Sequence, residues 1–270
     1  MPPRRSAVLA AIVTVLLASP LGALARAADG AFSAPADSGR DVARTPPASV
    51  ALFQRSDLAF AFGTAAAVLV TGHHDAWLRR EAIESDTRLD RNLARDVRPL
   101  GNPTIVLPAL LAGWGLARAF DAAAPTAGFK EVGLSVACGA AGALVLKEVV
   151  GRARPEDSPG DSRSFRPFSG RSSFPSGHAT VAFALAESIR LSSHRRWTPW
   201  LTYPAAILVS WSRVRDDVHW TSDVVAGAAL GFWTAREVHR VLPAERHRFP
   251  RLGLAPSTPD GTPGVFLTLR

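Results

Sequence analysis

Three short stretches of this 270-residue chain carry side chains whose types and spacing suit phosphate chemistry. They read KEVVGRARP at residues 147–155, FPSGH at 174–178 and SRVRDDVHWTSD at 212–223. Taken singly, each is ordinary, since an Arg-Pro pair commonly marks a helix end and a His-x3-Asp pair commonly lies on a surface. The occurrence of all three stretches in one chain, in this order, favours a shared functional site over three unrelated surface features.

The first group of candidate residues would bind an oxyanion. Lys147, Arg154 and Arg213 supply three cations, and arginine forks match pairs of phosphate oxygens. The FPSGH stretch predicts a helix start with Ser176 at or near the N-cap, where backbone N–H groups and the helix dipole favour an anion. Gly177 has no Cβ and lets the backbone approach closely. The predicted ligand is an oxyanion, most simply a phosphate.

The second group would react with that phosphate. His219 and Asp223 are four residues apart, which places them on one face of a helix. Asp223 could accept the Nδ1–H bond and leave Nε2 of His219 free to attack phosphorus. His178 could then protonate the leaving alkoxide as general acid. We expect a phosphohistidine intermediate, and the cations make a metal or other cofactor unnecessary.

The elements that would position these groups are helices. Six apolar segments show no period-2 alternation and predict an all-α, six-helix core bundle, at about 57–72, 104–117, 131–146, 178–191, 199–212 and 222–235. A charged stretch at 74–99 predicts a solvated or interfacial helix. In an up-and-down bundle the third-to-fourth and fifth-to-sixth connections lie at the same end. All three stretches can therefore converge on one pocket.

Composition excludes several other classes of protein. The chain is 47% apolar with a net charge of +8, which excludes an acidic disordered protein. Its 29 arginines accompany only two lysines, and no lysine-rich stripe indicates a nucleic-acid partner. The single cysteine, Cys138, excludes a disulfide framework and is expected in the core. The His73-His74-Asp75 run lacks further ligands at useful spacing, so no metal site is predicted.

The three stretches together resemble the signature of the type 2 phosphatidic acid phosphatase and vanadium haloperoxidase superfamily. The family pattern is Lys-x6-Arg-Pro, then Pro-Ser-Gly-His, then Ser-Arg-x5-His-x3-Asp, and every fixed position is present within residues 57–240. The resemblance implies a metal-independent phosphatase on an all-helical core. It also implies a role for each matching residue: phosphate binding by Lys147, Arg154, Ser176, Gly177 and Arg213, acid catalysis by His178, nucleophilic attack by His219 and orientation of that histidine by Asp223.

The N-terminal residues predict export. Residues 1–27 combine two early arginines, an apolar run and an Ala-x-Ala site, which indicates a signal peptide; an uncleaved anchor is the alternative. Residues 28–50 are expected to form a flexible leader, 51–245 the phosphatase domain and 246–270 an irregular tail. Many bacterial members of the family are six-helix membrane proteins, but the apolar runs here are shorter than a typical span. We therefore expect an exported bundle resting on or partly in a membrane, either periplasmic or membrane-associated.

The predicted function is hydrolysis of phosphomonoesters or diphosphates, lipid-linked or small and soluble. Phosphatidic acid, phosphatidylglycerol phosphate, an isoprenyl diphosphate and a lipid A phosphate all remain open as substrates, as does the oligomeric state. A vanadium haloperoxidase is one alternative, because vanadate mimics the transferring phosphoryl group. A non-catalytic lipid-binding bundle in the membrane is another.

Overall fold

The fold of this chain is a helical bundle. The computed structural model describes residues 55–84, 87–193, 195–242, 252–257 and 263–269. In chain order its helices are α1 (Arg55–Glu84), α2 (Arg88–Val97), a 3-10 turn (Arg98–Gly101), α3 (Pro103–Ala119), α4 (Ala123–Val150), α5 (Gly177–Ser193), α6 (Thr198–Arg215) and α7 (Thr221–Val241). The expected helical class is confirmed. The expected signal peptide and leader lie outside the described residues.

Each of the six apolar segments lies inside one of these helices, and α2 is a further one. It occupies the second half of the charged stretch, where its charges face outward and Ala94 is buried. Thr87 begins α2, accepting a hydrogen bond from the Asp90 backbone N–H through its hydroxyl. The described bundle therefore has seven α-helices rather than six.

Helices α5 and α7 pack against each other closely because small residues line the contact. A Cβ at Gly227 would lie 2.4 Å from the Ser176 carbonyl oxygen, and one at Gly231 would lie 2.1 Å from that of Thr180. Asp223 precedes these glycines on the same face at the i, i+4 spacing. Its carbonyl accepts the Ser176 N–H at 2.9 Å. This packing brings the second and third stretches into contact.

The connection between α4 and α5, residues 151–176, folds back over the end of α4. Gly151 ends that helix in a left-handed conformation, with φ of 57°. The Arg166 N–H then donates to the Gly151 carbonyl at 2.8 Å, and the Ser173 N–H donates to the Arg152 carbonyl at 3.1 Å. These bonds hold the first stretch beside the start of α5.

Helices α1, α3 and α4 present large apolar side chains to the outside. Phe62 on α1 and Leu111 on α3 are 74% and 66% exposed. Among the described residues, Pro125–Val150 within α4 is long and apolar enough to cross a membrane, and α2 with α3, bent by 51°, passes the same test as a pair. Cys138 of α4 is exposed, so its expected place in the core is wrong.

The C-terminal segment contains more regular structure than expected. Strands β1 (Leu252–Ser257) and β2 (Pro263–Leu269) pair antiparallel, with Leu252 opposite Leu269. The residues Val265, Phe266, Leu267 and Thr268 favour strands, and this propensity outweighs the neighbouring Pro and Gly residues that predict an irregular tail.

Candidate active site

The start of α5 carries a buried serine hydroxyl that makes no hydrogen bond, so the helix lacks the expected N-cap. Ser176 directly precedes α5 and is fully buried, yet its Oγ makes no hydrogen bond. The expected N-cap bond is therefore not made, although the Ser176 carbonyl accepts the Thr180 N–H at 3.0 Å. A buried hydroxyl without a partner is costly unless a ligand or water satisfies it.

Two cations from the first stretch meet at one residue of the following connection. Lys147 donates from Nζ to the Ser172 carbonyl, and Arg154 Nη2 lies 3.4 Å from the Ser172 Oγ. A Cβ at Gly177 would lie 3.9 Å from the Lys147 Cε, so the lysine stem runs beside the start of α5. Lys147, Arg154 and Gly177 thus border the same space.

The His219–Asp223 pair differs in geometry from the expectation. Helix α7 begins at Thr221, so His219 lies in the preceding connection and only Asp223 is helical. The His219 Nδ1 lies 3.7 Å from Asp223 Oδ2, which is an ion-pair distance and too long for a hydrogen bond. Both side chains are buried. The two groups face each other across the N-terminus of α7 instead of sharing a helical face.

Asp223 is held by donors that the family signature does not include. Its Oδ1 accepts from Arg152 Nη1 at 2.5 Å, and its Oδ2 accepts from the Ser173 hydroxyl at 2.6 Å and the Trp220 N–H at 2.9 Å. Burial tends to raise the pKa of Asp223, but the neighbouring His219, the charge of Arg152 and the hydrogen bond from Ser173 outweigh it and hold the pKa below its usual value. Asp223 is therefore ionised and fixed in place.

Arg152 is itself held by residues of α1 and α7. Its Nη2 donates to Asp75 Oδ2 of α1 at 2.7 Å, and its Nη1 donates to the Ser222 hydroxyl at 2.7 Å. Ser222 donates its N–H to Asp75 Oδ1 at 2.9 Å. Asp75, Arg152 and Asp223 are all buried. The guanidinium thus lies between two buried carboxylates and fixes the position of Asp223.

His178 lies among positive groups at the same end of the bundle. Burial, followed by the charges of Arg213 and His219, lowers the pKa of His178 to about 3. Burial also lowers the pKa of His219, against the opposing pull of Asp223. Both imidazoles are neutral at pH 7 in the protein without substrate, and a neutral ring is the state in which His219 could act as a nucleophile.

Arg213 completes the group of cations. Its side chain is buried, its Nη1 lies 3.2 Å from Asp216 Oδ2, and its Nε makes no hydrogen bond. Burial lowers the pKa of Arg213. The Arg213 Nε–H and the Ser176 hydroxyl are thus two buried donors without partners, and they come from two different stretches at the same end of the bundle. An oxyanion bound there would accept hydrogen bonds from both.

All eight residues expected from the sequence therefore lie at one end of the bundle, connected by the contacts above. Two residues that support them are not predicted from the sequence: Asp75 stands in the run that was weighed for a metal site, and Arg152 is a free position of the Lys-x6-Arg-Pro pattern. Their pairing joins positions 77 residues apart, and no local pattern signals it. Among the described residues, no group of three or more His, Cys, Asp or Glu side chains could hold a metal ion.

Comparison with known proteins shows which family the site region is similar to. Residues 129–247 match the model of the PAP2 superfamily. The lipid A 1-phosphatase of Rhizobium johnstonii is 40% identical over 95 residues, which are 34% of this chain and 38% of the relative. The undecaprenyl-diphosphatase of Sulfolobus acidocaldarius is 34% identical over 108 residues, which are 38% of this chain and 52% of the relative.

The fold is also that of a solved structure. The transmembrane PAP2-type phosphatidylglycerolphosphate phosphatase of Bacillus subtilis superposes with a TM-score of 0.53 at 24% identity, covering 70% of this chain and 96% of that one. The match to the curated relatives is shorter and spans about two fifths to half of their length. Residues 129–247, the part of the chain that matches the PAP2 superfamily model, contain all three stretches and every candidate residue.

Proposed function

We propose that this protein hydrolyses a phosphomonoester or diphosphate carried on a lipid, through a phosphohistidine formed on His219. The observation that carries the proposal is the meeting of His219, held near an ionised Asp223, with His178 and the cations at one end of the bundle. The relatives support the substrate class, since they are named as lipid A 1-phosphatase and undecaprenyl-diphosphatase.

In the first step the neutral Nε2 of His219 attacks phosphorus, an N–P bond forms and the ester P–O bond breaks. Asp223 stabilises the positive charge that develops on the imidazole. His178 gives its proton to the leaving alkoxide. Lys147, Arg154, Arg213 and the Ser176 hydroxyl bind the equatorial oxygens, whose charge grows in the transition state.

In the second step water attacks the phosphohistidine, His178 takes a proton from that water and the N–P bond breaks. The inorganic phosphate takes that proton from His178 as it leaves, and both His178 and His219 return to their neutral forms. His178 thus serves as acid in one step and base in the next, as microscopic reversibility requires.

The proton on His178 must enter with the substrate. With a pKa of about 3 in the protein alone, His178 is unprotonated at neutral pH. A phosphate bound among Arg213, Lys147 and His178 brings negative charge that raises this pKa. The enzyme would therefore bind the phosphate monoanion and pass its proton to His178.

The outward faces of α1, α3 and α4 support a lipid substrate. Leu69 on α1, Leu116 on α3 and Leu144 on α4 are each more than 60% exposed. Exposed apolar surface of this extent favours contact with lipid or with another protein. We infer that these faces contact the membrane that holds the substrate, and that the site end meets its headgroups.

The test is phosphate release by the full chain in detergent micelles with EDTA present. The substrates are phosphatidic acid, phosphatidylglycerol phosphate, an isoprenyl diphosphate and a lipid A phosphate. We expect release from at least one of them by the wild type and a loss of more than about a thousandfold in His219→Ala, because no other group replaces the nucleophile. Wild-type rates in His219→Ala would remove the mechanism.

A trapping experiment separates the covalent step from general binding. Rapid acid-free quenching with ³²P-labelled substrate should give a labelled protein whose label is stable to alkali and labile to acid, as expected of a phosphohistidine. His219→Ala should carry no label, while His239→Ala, a histidine near the other end of α7, should label like the wild type.

The two alternatives are separable in the same preparation. A haloperoxidase would oxidise halide with peroxide after vanadate is added, and a lipid-binding bundle would bind substrate without releasing phosphate. No feature of the described residues favours either, and the curated relatives cited above are named as phosphatases.

A further inference from the structure

A second positively charged cleft lies beside the candidate active site. It has a volume of about 570 Å³ and is formed by α2, the 3-10 turn and the end of α6. Its charged lining consists of five arginines and one carboxylate: Arg91, Arg95, Arg98, Arg213, Arg215 and Asp216. No part of the family signature except Arg213 accounts for it.

The cleft and the candidate active site share a wall. Arg213 lines the cleft, and it also belongs to the phosphate-binding group. The 3-10 turn that carries Arg98 packs tightly on the start of α5, because a Cβ at Gly101 would lie 2.7 Å from the His178 carbonyl oxygen. Arg98 is close enough for its charge to act on both His178 and Arg213. An anion in the cleft would therefore lie next to the reacting phosphate.

Among the described residues that line the cleft, arginines outnumber acids five to one. Asp216 is its one acid, and it lies between Arg213 and Arg215, at 3.2 Å and 3.6 Å. Arg95 is exposed, with Nη2 donating to Asn92 at 3.1 Å and Nε 3.7 Å from Asp96. Arg98 is exposed as well. Guanidinium groups crowded in this way are stabilised by phosphate or carboxylate oxygens.

We propose that this arginine cleft is a second anion-binding subsite, which takes a phosphate or carboxylate located beyond the phosphate being hydrolysed. The inference rests on the proposed function and adds a substrate class to it, namely amphiphiles with a second anionic group near the reacting one. That anion belongs either to the substrate itself or to a headgroup of the surrounding lipid.

The experiment compares two substrates with the same acyl chains in neutral detergent micelles. Phosphatidic acid has a single phosphate, and phosphatidylglycerol phosphate has a second one three carbons from its terminal monoester. In the double variant Arg95→Gln/Arg98→Gln, we expect the ratio of kcat/KM for the two-phosphate substrate to that for the one-phosphate substrate to fall at least tenfold, mainly through KM.

A matched control removes the same charge elsewhere. Arg195→Gln/Arg196→Gln lies in the connection between α5 and α6, at the far end of α5 from the site, and both residues are exposed. This variant should change the ratio less than twofold. It corrects for the weaker long-range attraction of a more highly charged substrate to a less positive protein.

A vesicle-binding experiment identifies the source of the anion. Binding is measured to phosphatidylcholine vesicles with and without added phosphatidylglycerol. If a membrane headgroup fills the cleft, Arg95→Gln/Arg98→Gln loses the binding that phosphatidylglycerol adds while the substrate ratio stays unchanged. If the substrate's own second phosphate fills it, the ratio falls. A ratio and a vesicle affinity that both match the Arg195→Gln/Arg196→Gln control overturn the subsite.

The failure of this inference is distinct from the failure of the proposed function. Wild-type release of phosphate from phosphatidic acid tests the function alone, because that substrate has no second phosphate. Activity on both substrates, with a ratio and a vesicle affinity that both match the control, would leave the phosphatase in place and remove only the subsite.

Discussion

Two arginine environments lie a short distance apart in this protein, and they are opposite in character. Arg152 is buried, and its guanidinium donates to Asp75, Asp223, Ser222 and the Ser162 carbonyl. Arg213 is also buried, yet its Nε makes no hydrogen bond, and it borders a cleft with four more arginines. One guanidinium is surrounded by hydrogen-bond acceptors of the protein, and the other has a buried Nε–H without one.

The difference separates positioning from binding. A buried charge is tolerated when its partners surround it, and removing one member of such a pair leaves the other uncompensated. A cation whose donors lack partners destabilises the protein slightly until an anion arrives. We therefore expect substitutions around Arg152 to alter stability and substitutions around Arg213 to alter activity.

The largest effect is expected for Arg152→Gln. It would leave Asp75 and Asp223 buried without their shared cation, and it should lower the free energy of unfolding by about 3–5 kcal/mol. Thermal or denaturant unfolding in detergent measures this. The control is Arg163→Gln, an exposed arginine in the same connection, and equal stability of the two variants would contradict the positioning role.

Arg213→Gln should show the opposite pattern. We expect kcat/KM to fall about 10²–10³-fold, because a charged donor to the transferring phosphoryl group is lost. The free energy of unfolding should change by less than about 1 kcal/mol, since the exchange removes a buried cation along with its one ion pair to Asp216. Steady-state kinetics and denaturant unfolding of the same preparation measure the two quantities. A large loss of stability would contradict the contrast drawn between Arg152 and Arg213.

Two serines in the same connection allow a smaller and sharper test. Ser173 donates to Asp223 at 2.6 Å, whereas the Ser176 hydroxyl makes no hydrogen bond. Ser173→Ala should lower the free energy of unfolding by about 1–2 kcal/mol. Ser176→Ala should leave stability unchanged and reduce kcat/KM by about tenfold. The reverse assignment of the two effects would show that Ser176 is structural.

The last prediction concerns an effect that is spread over several pH units. The pKa of His178 is 6.5 in a model peptide and about 3 in the folded protein, so between these values the unfolded chain binds more protons. The free energy of unfolding should therefore fall as pH drops from about 6.5 toward 3, with a contribution from His178 of at most about 1.4 kcal/mol per pH unit. His178→Gln should flatten the slope, and His219 should supply part of what remains. A slope unchanged in His178→Gln would contradict the lowered pKa.

Much of the fold and the group of candidate residues could be predicted from the chain alone. Apolar runs mark the six longest helices, and the order of the three stretches places Lys147, His178 and His219 at one end of an up-and-down bundle. The state of individual side chains could not be predicted in this way. Arg152 and Arg154 stand two residues apart in the same stretch, yet one is buried between carboxylates and the other is more than a third exposed.

The amino-acid sequence by itself determined which reactive groups are present, their order and the helices that carry them, because helix formation and side-chain chemistry are local properties. Tertiary packing decided the rest. It placed His219 outside α7, brought Asp75 of α1 to Arg152 and set Gly227 and Gly231 against α5. Burial and ion pairing depend on residues far apart in the chain, so only the packed bundle determines which arginine supports Asp223 and which cations remain for an anion.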